Sequence, residues 1–311
     1  MIESIILAVN VVLPIFCLIL IGYAVQRFNV IGSDAFIEIN KLVFVLFLPL
    51  VLFQSIYHTD LRVSFNLELI LFALAGLVAV MLASMLAVKY VDDDPRKKGV
   101  MVQAMYRSNF ILFGLPIVSS LYSDIGVTSI IISFIVPFQA IFSVIVLEYY
   151  HGGKFDLFNT VKKLLSNPMM IGTALALLMM AFHITLPTFA DKVIANLSGV
   201  ATPLALLVLG GTFQFQELHK NTKHITVAVL TRLVIAPSII LSLAVLLGYR
   251  GIDLVTLMVL FASPVAVSSY SMAMVMDGDS ELASQLVLVS TMFSIVSVCA
   301  WVFLLQYMNF L

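Results

Sequence analysis

Residues Arg107 to Pro116 read RSNFILFGLP, which puts a guanidinium beside backbone that cannot keep a helix intact. Arg107 lies nine residues beyond Lys98, inside what reads as one membrane-crossing helix. At about 1.5 Å per residue that is ~13 Å below an interface, near the centre of a hydrocarbon core about 30 Å thick. Asn109, Gly114 and Pro116 weaken or remove backbone hydrogen bonds that lipid cannot replace. Charge and interrupted backbone at one depth are tolerated where they line a cavity. The guanidinium fork suits a carboxylate, and N–H groups exposed at a half-helix start add partial positive charge. The chemistry predicted is recognition of an anion.

A second interruption reads FASPVAVSSYS, with Ser263, Pro264, Ser268 and Ser269 as candidate substrate contacts. The serines serve equally well to satisfy the backbone opened after Pro264. Arg232 follows Lys223 by nine residues, so its depth matches that of Arg107. It is either a second carboxylate clamp or a packing arginine bound to carbonyls freed by Pro237. Gln54 and Gln139 fall within apolar runs and either face substrate or join helices. Gln103 shares a helix face with Arg107 and is suited to orient it. Glu148 belongs near a membrane interface and His183 at the outer end of a span. Cys17 and Cys299, the two cysteines, form no metal or redox spacing and read as small buried hydrophobes.

These residues need elements to hold them at depth. The chain is 62% hydrophobic and 11% charged, against about 25% charged in a soluble domain. The excess runs along the whole length, so the class is an all-α polytopic membrane protein. A net charge of -1 and no basic, aromatic-interleaved cluster argue against nucleic acid. The first apolar run lacks a basic start and a cleavage site, and reads as a retained span.

Ten spans are predicted, over 4–26, 36–57, 67–90, 97–122, 126–150, 160–183, 192–215, 224–248, 252–276 and 281–308. One side would carry Arg27, Lys41, Lys89, Arg96, Lys97, Lys98, Lys154, Lys162, Lys163, Lys220 and Lys223. The other would carry Arg62, Lys192 and Arg250. That asymmetry puts the first side in the cytoplasm and both termini outside. Pro49 and Pro203 lie 154 residues apart, as do Asn109 and Ser263. The register predicts two inverted five-helix halves, 1–150 and 151–311, with helices 4 and 9 both broken. Paired interruptions point to a transporter site.

The ordered pieces Gly22-Tyr23, Asn40 to Phe44 before Pro49, RSNFILFGLP, Asn167-Pro168, Pro203 to Leu206, Gly210-Gly211, Pro264 to Tyr270 and Leu282 to Ser284 carry a resemblance. The chain resembles the auxin efflux carrier family, and among its members the short prokaryotic malate- or malonate-permease-like ones. The long hydrophilic central loop of plant members is replaced by residues 151–159. The resemblance implies the fold of bile-acid sodium symporters. Spans 1, 2, 6 and 7 would form a scaffold, and spans 3–5 and 8–10 a mobile core with crossing broken helices. It also implies elevator-type alternating access for small organic anions, compatible with a homodimer in the plasma (bacterial inner) membrane.

No cofactor is expected, and the coupling ion, sodium or proton, stays open. One alternative is a sodium-coupled symporter of larger organic anions on the same fold. Another is an intramembrane prenyltransferase-type enzyme, suggested by Asp92-Asp93-Asp94 and Asp277-x-Asp279-x-Glu281. Three consecutive aspartates do not share a helix face, so solvated turns explain the clusters better. A channel or sensor accounts less well for paired interruptions. The expected partners are a small organic anion and the lipid bilayer.

Overall fold

The computed structural model describes residues 2–58, 66–123, 125–151, 157–213 and 215–310, with 2–12, 33, 157–160, 163 and 215–217 described as backbone only. Arg62 and Lys154, both counted in the charge asymmetry, lie outside the described residues. Helices run α1 (Ile2–Arg27), α2 (Ser33–Leu42), α3 (Leu48–Tyr57), α4 (Leu67–Ala87) and α5 (Pro95–Tyr106). They continue as α6 (Leu115–Leu121), α7 (Gly126–His151), α8 (Leu157–Ser166), α9 (Pro168–Ala181) and α10 (Thr188–Thr212). The last five are α11 (Thr222–Leu230), α12 (Ala236–Leu246), α13 (Gly251–Ala262), α14 (Val267–Val275) and α15 (Ser280–Tyr307). No strand forms among the described residues beyond a single bridge between Ser108 and Val265.

Six helical stretches are long and apolar enough to cross a membrane, and four more are shorter apolar helices. Leu71, Leu82, Leu175, Leu243, Phe293 and Val296 stand on their outer surfaces, each about half exposed or more. Apolar surface on that scale needs lipid against it. Cys17 is exposed and Cys299 half-buried, so neither is the buried core residue expected from sequence; both lie towards that outer surface.

Prolines shape the helices in two ways. Wide π-helical turns at Val43–Phe47, Phe110–Gly114 and Thr231–Ile235 each end two residues before a proline: Pro49, Pro116 and Pro237. A proline gives no N–H to the carbonyl four residues back and presses its ring on it, and a wider turn relieves both. The Leu233 carbonyl, four before Pro237, instead accepts from Trp301 Nε1 at 3.0 Å. Pro14, Pro137 and Pro203 sit inside helices that continue past them.

The span expected over 160–183 divides at Pro168. Asn167 caps α9 by accepting the Met169 N–H at 3.0 Å, and α8 ends as a separate helix. The residue before a proline is pushed out of helical geometry, and Asn167 sits at ψ 126.

Helix α1 lies along α10, and α3 along α9. The first contact is intimate because Gly22 faces the Leu207 carbonyl while Gly210 faces that of Ile19; a β-carbon at either would collide with backbone. Such small-residue seams let helices approach in lipid, where van der Waals packing drives association. Elsewhere α4 and α7 pack on α5, α11 and α13 to α14 pack on α15, and α5 meets α15.

Candidate functional site

The two interrupted regions meet. Helix α5 stops at Tyr106 and α13 at Ala262, and the chain is extended at Arg107 (φ -86, ψ 116) and Ser263 (φ -67, ψ 153). Asn109 N–H donates to the Pro264 carbonyl at 2.8 Å, and Ala266 N–H to that of Arg107 at 3.4 Å. Two backbones opened by helix breaks thus satisfy part of each other in a short antiparallel bridge. The second half of the first broken helix starts at Phe110; Pro116 falls at the start of α6, after the π-helical turn. The partial positive charge of its N-terminus therefore lies beside Asn109.

A cavity of about 80 Å³ opens at this crossing, lined by Arg107, Ser108, Asn109, Gln139 and Ser268 on its polar side. Leu48, Val51, Leu52, Val136 and Met169 supply its apolar walls. One water needs roughly 10–15 Å³ of such space, so it has room for a carboxylate and little more. Arg107, 4% exposed, donates to Ser268 Oγ at 2.8 Å and to the Met272 sulfur. Gln139 Nε2 donates to Ser108 Oγ at 3.0 Å. The Asn109 Nδ2 group is buried without a partner while its residue lines the cavity. A buried donor left open at a cavity costs free energy that a ligand acceptor would recover.

Val51, Ile111, Leu112 and Thr202 also line a larger neighbouring space of about 780 Å³, with Pro116, Gln54 and Ser198. Gln54 accepts from Ser198 Oγ there. A third cavity, about 390 Å³, is lined by Gln54, Ser55, His58, Ser129 and Ser133. At its mouth His58 Nε2 pairs with Asp191 at 2.8 Å.

Several residues expected at the substrate stand elsewhere. Arg232 is fully buried and does not line the cavity. Its donors reach the carbonyls of Ser263 (2.8 Å), Tyr106 (3.0 Å), Met105 (3.5 Å) and Leu260 (2.6 Å). The packing alternative describes this geometry, with one correction: the carbonyls belong to the two breaks and not to the Pro237 turn. Ser263 and Ser269 are buried with unpartnered hydroxyls and are absent from the cavity lining. Gly114 packs under the Phe110 ring. Gln103 shares the Met272 sulfur with Arg107 and makes no bond to the guanidinium. Ser108 and Met272 were not anticipated; Met272 is indistinguishable in sequence from any core methionine.

The acidic clusters around Asp92 and Asp277 serve the fold. Asp94 caps α5 at the Arg96 N–H (2.9 Å) and Asp279 caps α15 at Leu282 (2.9 Å). Asp92 accepts from the Asp94 N–H at 2.7 Å and meets His224, while Arg96 donates to the Asp277 carbonyl at 2.9 Å. Desolvation pulls the Asp92 carboxyl upward, but the Asp94 N–H, His224 and Lys97 outweigh it and hold it below its ordinary range. Glu148 is half-buried near the end of α7, and His183 is exposed after α9.

Residues 7–302 match a family model described as membrane transport protein. An uncharacterized transporter of Methanothermobacter thermautotrophicus is 26% identical over 295 residues, covering 93% of this chain and 96% of the relative. An uncharacterized transporter of Methanocaldococcus jannaschii is 21% identical over 302 residues, with 94% and 97% covered. Membership in a transport family speaks for a carrier over an enzyme. With interrupted helices, a lipid-facing apolar surface and a family match over nearly its whole length, the chain is an integral membrane protein that belongs to the auxin efflux carrier family of membrane transporters.

Proposed function

We propose that the protein is a secondary carrier of small organic anions, working by alternating access around the helix crossing. The observation that carries this reading is the buried Arg107 guanidinium in one cavity wall with the unpartnered Asn109 Nδ2. A carboxylate seated there gains a full positive charge, an open donor and the N-terminal field at Phe110. Ser268, already bonded to Arg107, orients the fork, and Gln139 holds the Ser108 hydroxyl in the same lining.

Arg107 is the cation in the lining, since Arg232 is spent on carbonyls. One cation facing mainly apolar walls suits one carboxylate on an apolar body better than two carboxylates. The neighbouring cavity past Val51 and Ile111 gives such a body somewhere to lie.

The six long and four shorter apolar helices support ten crossings in two inverted halves of five. Under that repeat the α1–α10 and α3–α9 contacts are equivalent: each sets the first crossing of one half against the second of the other. Those four would be the scaffold, and the remaining crossings the moving core. The charge asymmetry supports termini on the outside.

Protein reconstituted in liposomes is expected to take up a radiolabelled monocarboxylate, and Arg107→Ala to reduce uptake to the empty-liposome level while inserting normally. Wild-type rates in Arg107→Ala refute the site. Faster transport of a short dicarboxylate than of any monocarboxylate refutes the substrate class.

A further inference from the structure

We propose that Arg232 is the resident cation of the helix crossing, a positioning residue that takes the carbonyl ends a coupling sodium ion would need. This role of Arg232 does not depend on which anion is carried. In carriers with interrupted helices, sodium is held by unwound carbonyls and by the C-terminal ends of half-helices. Here those ends belong to α5 and α13, and they converge on one guanidinium. Nε donates to Ser263 O, Nη1 to Tyr106 and Met105 O, and Nη2 to Leu260 O. Arg232 is 0% exposed, and its hydrogen bonds all go to these carbonyls.

The chemistry is matched in sign and in geometry. Both half-helix C-termini carry partial negative charge, and lipid leaves their last carbonyls without donors. A guanidinium stays protonated even when buried and spreads five donors in a plane, so one side chain serves two helix ends. The residue reaches the crossing from the π-helical turn Thr231–Ile235, whose extra width comes with Pro237. Two further break carbonyls are also engaged: Pro264 O accepts from Asn109 and Arg107 O from Ala266. A sodium ion at these carbonyls would lose its oxygen ligands and stand against a fixed like charge. Among the described residues no group of three or more His, Cys, Asp or Glu offers a metal site instead.

Thermal unfolding of the purified full-length protein in sodium and in potassium, at equal ionic strength, tests this. Sodium held with millimolar affinity would be about 100-fold saturating at 0.1 M and would raise Tm measurably. The wild type is expected to melt at the same temperature in both salts. Arg232→Ala should melt several degrees lower, and methylguanidinium should raise the variant's Tm saturably while leaving the wild type unmoved. Arg232→Lys, a single point charge without the fork, should fall between the two. A sodium-specific rise in the wild type overturns the proposal, even if Arg232→Ala does not fold. So does an Arg232→Ala protein as stable as the wild type, or a folded variant with no methylguanidinium response beyond that of wild type.

Discussion

Arg107 and Arg232 each follow a lysine by nine residues, yet their donors meet different surroundings. Arg107 bonds a serine hydroxyl and a sulfur at a cavity wall, partners that a carboxylate can displace or join. Arg232 bonds four carbonyls that have no other donors in lipid. Their shared depth was legible in the sequence, but the division of labour was not, because it turns on which way each side chain leaves its helix. Asp92 carries a prediction at the same scale. Its carboxyl is held below the ordinary range, so its stabilising bonds are complete above the unfolded pKa of about 3.9 and are lost as pH falls through the lower folded value. Asp92→Asn should lower Tm by roughly 2–4 °C at pH 7, for about 1 kcal/mol at this partly exposed pair. The difference from wild type should shrink below about pH 4; a gap that stays constant from pH 7 to 3.5 rules out this linkage.

Proline produces the local shape of the helices only together with its neighbours. Three prolines follow π-helical turns while Pro14, Pro137 and Pro203 do not, although all six stand in apolar runs. At the third turn an adjacent helix offers a donor to the carbonyl that Pro237 leaves open. Trp301 is that donor, and Leu233 carries the carbonyl. Trp301→Phe should therefore cost about 1 kcal/mol, the usual scale of an interhelical bond in a membrane. It should cost less in a Pro237→Ala background, where the restored N–H at 237 can reach the same carbonyl. Equal cost in both backgrounds, measured as a double-mutant cycle of unfolding, would dismiss this account. Asn167-Pro168 shows the opposite case: the pair was visible, but reading one span across it hid the separate α8.

At the scale of the molecule, packing joins distant segments through small residues and shared backbone. Gly22 and Gly210 allow α1 and α10 to touch, and the Ser108–Val265 bridge ties the two breaks across more than 150 residues of chain. The proposed orientation makes a sided prediction. In a background without Cys17 and Cys299, Lys98→Cys should label with an impermeant maleimide from the cytoplasmic face and Lys192→Cys from the outer face. Labelling of both from one side would remove the ten-span reading.

Composition alone determined that this chain lives in lipid, because no aqueous core absorbs so much apolar surface. Spacing alone located two weak points, RSNFILFGLP and FASPVAVSSYS, since proline, glycine and charge at mid-depth mark where a helix must open. Only the tertiary structure decided what closes each opening. Backbone hydrogen bonds, arginine forks and a tryptophan N–H reach across helices that are distant in sequence, and one-dimensional spacing holds no record of which donor meets which carbonyl.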